Sequence, residues 1–320
     1  MRFPAIGWLV MGTLLVSCGF TRGVDADPSF STSPLSRVGV SAELGDMRYD
    51  WVSFSTDYGT SDGFVAACHG VIARIAPSVR LIDVTHDVPP QDVRRGAELL
   101  AQTVEYLPDS VHLAVVDPGV GTTRRGVAIE SAGGLLVGPD NGLLLPAADA
   151  LGGVRAAVEL TAQRYRLPAT SATFHGRDIF APAAAHLAAG VDPAELGPAV
   201  DPAELVRLPE PLAELAGGEL RTELLGADHF GNLQLAATGE QLAELAGPGE
   251  QVRVRIGERS LAARAGRTFA DVRPGEILVL RDSAGYAAIA VNGGSALTLL
   301  DGPARSGVPV TISGSADPPR

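Results

Sequence analysis

Two short stretches concentrate side chains that do chemistry. The first is DPGVGTTRR at 117–125, which places Asp117 and Arg124 on either side of a glycine-rich turn. It follows the apolar run 111–116, which reads as a strand. The turn is not a phosphate-binding loop, because the Gly-Lys-Ser/Thr ending is missing. It is not a dinucleotide fingerprint either, since Arg124 stands where the third glycine belongs. Such a turn offers backbone, a carboxylate and a guanidinium to one small pocket. The second stretch is FHGRD at 174–178, where His175 directly precedes an apolar helical segment. Carboxylate, guanidinium and imidazole are parts of an acid–base site, but their pattern alone names no reaction.

Other acidic residues follow strands in the same way. Asp57 comes after the first strand, and Asp83 and Asp87 surround the end of the second. Ligands of open α/β sheets bind outside the carboxyl ends of the strands. Taken singly, each Asp reads as a turn or cap residue; taken together they point to a site for hydroxyl groups or a cation. The remaining histidines form no ligand motif. His69 and His186 fall in helices, His112 in a strand, and His86 and His229 in turns. No pair has HExxH or related spacing, so no metal site is expected.

The elements that must position these residues alternate. Strands are predicted at 52–55, 79–84, 111–116, 127–130 and 135–138, the last two as a hairpin around Gly133-Gly134. Helices are predicted at 62–75, 93–106 with Asp92 as cap, 143–151 and 179–189. This is an α/β domain with a largely parallel sheet. After residue 190 the pattern changes. Two DPAEL copies and LPEP at 208–211 read as linker. Strands at 220–225, 232–236, 251–256, 260–264, 276–281 and 286–291, with a helix at 239–246, then predict a smaller all-β, barrel-like domain. The division is 1–46 leader or extension, 47–190 α/β, 191–217 linker and 218–320 β. In the last part DHFGN at 228–232, SAGY at 283–286 and VNGG at 291–294 read only as polar turns.

The chain has 320 residues and a net charge of −12, which argues against a nucleic-acid surface. Beyond Cys18 only Cys68 remains, so the body holds no disulfide and no thiolate metal cluster. Arg2 and the apolar run 3–16 lead to LVSCG at 15–19, which resembles a bacterial lipoprotein signal with Cys18 as the lipidated residue. The run is too short for a comfortable membrane span. The alternative start is Met47, directly before the first convincing strand.

The motifs STDYGTSDGF, LIDVTHDVPPQDVRRGA, VVDPGVGTTRR, VGPDNGLL, TFHGRDIFAPAAAHLA, DHFGN and SAGYAAIAVNGGSA occur in order. Together they resemble the SAM hydroxide adenosyltransferases, or S-adenosyl-L-methionine (SAM) hydrolases, which are related to SAM-dependent fluorinases and chlorinases. The resemblance runs from about Met47 to the final strands. It implies cleavage of SAM by water to adenosine and methionine, with SAM as substrate and no cofactor. It also implies a homotrimer with active sites between subunits. By motif, the catalytic set falls on Asp117, Arg124 and His175. Asp57 matches the holder of the ribose hydroxyls. Asn141, Phe174, Asp228, Asn232, Ser283 and the backbone around Val291 match positions near nucleoside or methionine.

The halogenases carry Tyr where this chain has Asp117, and a Tyr-Ser pair where it has His175-Gly176. A tryptophan common among them is Gln91 here. An anionic Asp117 repels halide, so water is the expected nucleophile, with Asp117 and His175 both open as its base. A SAM halogenase and a non-catalytic SAM or adenosine sensor are the competing readings. Because SAM is made in the cytoplasm, Met47 is the expected start and the cytoplasm the expected location. Lipidation at Cys18 would instead give a membrane-anchored protein.

Overall fold

The computed structural model describes residues 49–314. The readings of Cys18 as a lipid anchor and Met47 as a start lie outside the described residues. Six strands form the first sheet: β1 (Trp51–Thr56), β2 (Arg80–Thr85), β3 (Val111–Val115), β4 (Gly126–Ser131), β5 (Gly134–Pro139) and β6 (Val154–Glu159). Their order is β2-β1-β3-β5-β4-β6. β2, β1, β3 and β5 run parallel, whereas β4 is antiparallel to both β5 and β6. The sheet is therefore mixed, which corrects the largely parallel expectation. The cause is local: only Ala132 and Gly133 separate β4 from β5, and so short a loop joins only antiparallel neighbours.

Helices α1 (Phe64–Ile75), α2 (Val93–Val104), α3 (Leu145–Ala150) and α4 (Ala181–Ala188) cover the sheet. Asp92 caps α2 by accepting from the Arg95 amide, as its position predicts. Apolar side chains on the two faces of the sheet make separate cores. Phe54, Ile72, Leu113 and Phe180 pack on the α1 and α4 side. Leu100, Ile129, Leu143 and Leu144 pack on the α2 and α3 side. The helical segment that starts within FHGRD begins as a π-helical turn, Gly176–Phe180, before continuing as α4.

The DPAEL copies form 3-10 turns, each started by an aspartate, Asp192 or Asp201, accepting a backbone amide. The β part follows: β7 (Ala213–Ala216), β8 (Glu219–Ala227), β9 (Leu233–Thr238), α5 (Gly239–Leu245), β10 (Gln251–Ile256), β11 (Arg259–Ala265), β12 (Ile277–Arg281), β13 (Tyr286–Val291) and β14 (Pro309–Gly314). β14 pairs with β10 and also with β8, so seven strands close into a barrel and β7 extends from β8. β10 shows how the sequence fills it: Val252, Val254 and Ile256 are buried while Gln251, Arg253 and Arg255 are exposed. Helix α2 joins the two parts. Arg95 donates to Gln234 at 2.9 Å and to the Ala227 carbonyl at 3.3 Å. Asp92 accepts from Ser306 Oγ at 2.6 Å. Among the described residues, no helix is long and apolar enough to cross a membrane.

Candidate active site

The parallel strands β2, β1 and β3 lie side by side, so the residues that follow them share one edge of the sheet. Asp57 follows β1 and Asp117 follows β3. The turn after Asp117 folds on itself: Thr122 donates its hydroxyl to the Gly119 carbonyl at 2.6 Å. That reversal returns Arg124 to Asp117. Gly121 sits at φ 77°, and a Cβ there would lie 2.4 Å from the Ala172 carbonyl oxygen. Only glycine lets this turn touch the loop that precedes His175.

That loop is pinned from behind. Asp178, fully buried, accepts from the Ser171 amide at 2.7 Å and pairs with Arg177 Nε at 2.6 Å. His175 is thereby held against Arg124. Arg124 Nε donates to Asp117 Oδ1 at 3.1 Å, and its Nη2 reaches Asp117 Oδ2. The same Nη2 lies 3.2 Å from His175 Nδ1. The Asp117 and Arg124 side chains are 6% and 9% exposed, so water screens their pairing little. Arg124 also stands over the Phe180 ring at 5.2 Å. Burial, then the Arg124 charge, hold His175 below the ordinary imidazole range. The three residues picked from the two motifs are thus brought together.

Asp57 is half-buried, and burial raises its carboxyl above the usual range while nearby Asp117 adds to the effect. Its Oδ2 accepts from the Gln91 amide at 2.9 Å. Gln91 adopts φ 67°, alone among the described non-glycine residues. Phe174 packs edge-on against Tyr58 and Phe64, with centroids 5.7 and 5.2 Å apart. Asn141 braces the backbone beneath Asp117, donating to the Val116 carbonyl at 2.8 Å and accepting from the Leu143 amide at 3.2 Å.

The remaining expected positions lie in the barrel part. Asp228 clasps Asn232 through its amide at 2.8 Å and its side chain at 2.7 Å. With Phe230, Phe269 and Ser283 they line a cavity of about 490 Å³. Its α/β wall comes from Arg95, Leu99 and Gln102 rather than from Asp117, Arg124 or His175. Val291 ends β13 and pairs with Ile277; it is not among the residues lining that cavity.

Tyr58 is a residue the motif reading passed over. A Cβ on Gly176 would lie 2.1 Å from its hydroxyl, so Tyr58 fills the space beside His175. Burial pushes its hydroxyl pKa upward, so it stays protonated at neutral pH. Its place directly after Asp57 in the TDYG turn was the available signal.

The profile of the SAM hydroxide adenosyltransferase N-terminal domain matches residues 52–197, and that of the C-terminal domain matches 222–308. The (R)-S-adenosyl-L-methionine hydrolase of Salinispora tropica is 62% identical over 250 residues, covering 78% of this chain and 93% of that protein. The hydrolase of the same name from Thermus thermophilus is 43% identical over 269 residues, covering 82% and 98%. An uncharacterized conserved protein of Thermotoga maritima has a solved structure that superposes with a TM-score of 0.75 at 34% identity, covering 82% of this chain and 99% of that one. This chain belongs to the SAM hydroxide adenosyltransferase family.

Proposed function

We propose that this protein hydrolyses SAM to adenosine and L-methionine. The observation that carries the reading is the contact of Arg124 with both Asp117 and His175 at the carboxyl edge of the sheet. The names of the relatives supply the substrate. In the reaction a water oxygen bonds to C5′ while the C5′–S bond breaks. Its electron pair moves to sulfur, and the sulfonium leaves as neutral methionine thioether. The leaving group takes no proton, and the reaction needs no cofactor, because SAM carries its own leaving group. The water must lose one proton.

The hydrogen bonding favours Asp117 as its acceptor. Guanidinium only donates, so the His175 Nδ1 facing Arg124 accepts, and neutral His175 carries its proton on Nε2. An Nε2–H can orient the water but cannot take its proton. Each Asp117 oxygen keeps a lone pair beyond its bond to Arg124. Arg124 stabilises hydroxide character as it develops, and Asp57 holds the ribose hydroxyls. The Asp117 carboxylate disfavours a halide in the same place.

Asp228, Asn232 and Ser283 line a cavity apart from this set. We therefore take a neighbouring copy to supply them, together with Phe174 and Asn141 from the first chain and the Val291 backbone, as in a homotrimer. Purified protein incubated with SAM, with and without chloride or fluoride, tests the reading by product identification. Adenosine and methionine in equal amounts are expected. A halogenated deoxyadenosine, or binding without turnover, would overturn it.

A further inference from the structure

Side chains from three neighbouring elements meet beside Thr56, and none of them belongs to the Asp117, Arg124 and His175 set. His69 lies on α1, Asp83 on β2, and His86 in the turn after β2. His69 Nε2 is 2.9 Å from Asp83 Oδ1, and His86 Nε2 is 3.0 Å from the same oxygen. The three donor atoms all lie within 4.8 Å of one another.

His86 is the informative member. It is 6% exposed, and its buried Nε2 has no hydrogen-bond partner. The 3.0 Å approach to Asp83 therefore lacks the direction of an N–H···O bond. A buried polar atom without a partner is uncommon, and an imidazole nitrogen left without one, 3.0 Å from a carboxylate oxygen, is placed to serve as a ligand. His86 Nδ1 lies 2.9 Å from Thr56 Oγ1, a contact that fixes the orientation of the ring. On the other side His69 and Asp83 are 29% and 45% exposed, which leaves an entry path and room for waters.

We propose that His69, Asp83 and His86 bind one divalent transition-metal ion of the zinc class. Two imidazoles and one carboxylate suit zinc, cobalt or nickel rather than magnesium or calcium, which prefer oxygen alone. Tetrahedral bonds of about 2.1 Å put neighbouring donors about 3.4 Å apart, so the two pairs at 2.9 and 3.0 Å need open by only about half an ångström to admit an ion. The ion takes no part in the reaction proposed above. It clamps α1 to β2 and to the turn that follows β2. That turn touches the one after β1, where the Gly59 amide donates to the His86 carbonyl at 2.7 Å, two residues from Asp57.

The test uses tag-free protein, stripped with a chelator and dialysed against zinc, with metal per chain measured by mass spectrometry. Cobalt in place of zinc adds a visible absorption band as a second readout. One zinc per chain is expected, with His69→Ala and Asp83→Asn each weakening binding by about 100-fold or more. His186→Ala, outside the cluster, should keep full binding. Both ligand variants alter partly exposed side chains, and circular dichroism checks their folding; if one unfolds, the other decides. No zinc retained by the parent protein, or unchanged affinity in a folded ligand variant, would overturn the proposal.

Discussion

His175 Nδ1 accepts a hydrogen bond from Arg124 Nη2 at 3.2 Å, so one guanidinium sets both the position and the tautomer of the imidazole. Protonated His175 would turn that nitrogen into a donor facing another donor. Burial and the Arg124 charge already hold the histidine below its ordinary range. Activity should therefore be flat through neutral pH and fall only below the usual imidazole range, as His175 takes a proton. A kcat profile against pH tests this; a fall beginning above neutrality would count against it.

Arg124→Lys keeps the charge and loses the fork that spans Asp117 and His175. We expect kcat to fall about 10²- to 10³-fold, the usual loss on removing a positioned transition-state donor. Steady-state kinetics with SAM give the answer. A Lys variant with parental kcat would mean that charge alone suffices.

Gly176→Ala should push Tyr58 away, because the new methyl would lie 2.1 Å from the Tyr58 hydroxyl. The expected cost is about 1–3 kcal/mol of stability, measured by denaturant unfolding. Adding Tyr58→Phe removes the clashing oxygen and should restore part of the loss. If the double variant is no more stable than Gly176→Ala, the two residues are not in the contact described.

His112 gives a pH effect of known sign. It is buried against Ser53 Oγ at 2.8 Å, and burial pushes its pKa down to about 4. Between the unfolded value and that one, the unfolded chain binds the proton and the folded chain does not. Stability is thus fully present above the unfolded pKa and lost as pH falls toward the folded one. From neutrality to pH 5 the loss from this group is about 2 kcal/mol. Unfolding curves at the two pH values should show it, and His112→Asn should flatten the dependence by close to one proton.

Asp117→Asn and Asp228→Ala chains, each inactive alone, should regain partial activity when co-expressed if each site draws on two copies. Mixed assemblies then contain sites with neither change. Activity no higher than that of either variant alone would place all these residues in one chain's site.

How much of this was written in the sequence depended on distance along the chain. Asp117 and Arg124 are seven residues apart across a turn whose glycines are visible, so their pairing was legible. Asp57 and Gln91 were not legible as partners, because the β1–β2 pairing and the left-handed backbone of Gln91 create their contact. The same holds for His69, Asp83 and His86, which local spacing spread over a helix, a strand and a turn. β6, β7 and β14 escaped prediction. β6 and β7 are alanine-containing edge segments, β7 only four residues long, and β14 opens on Pro309. The mixed direction of the sheet was implicit in the β4–β5 hairpin, whose short loop makes its strands antiparallel; the antiparallel pairing of β6 with β4 was not, because β5 and α3 separate them in sequence.

The last described strand has a consequence for biosynthesis. β14 fills the gap between β10 and β8, with Leu220 opposite Ile312. Strand β8, already paired with β7 and β9, must therefore wait through most of the barrel's translation before its third neighbour emerges from the ribosome. Until then two unpaired edges, on β8 and β10, stand ready to capture strands from other nascent chains. Ribosome-bound chains ending before Pro309 should consequently be the most prone to misassociate, and the emergence of β14 itself should close the ring and remove both edges.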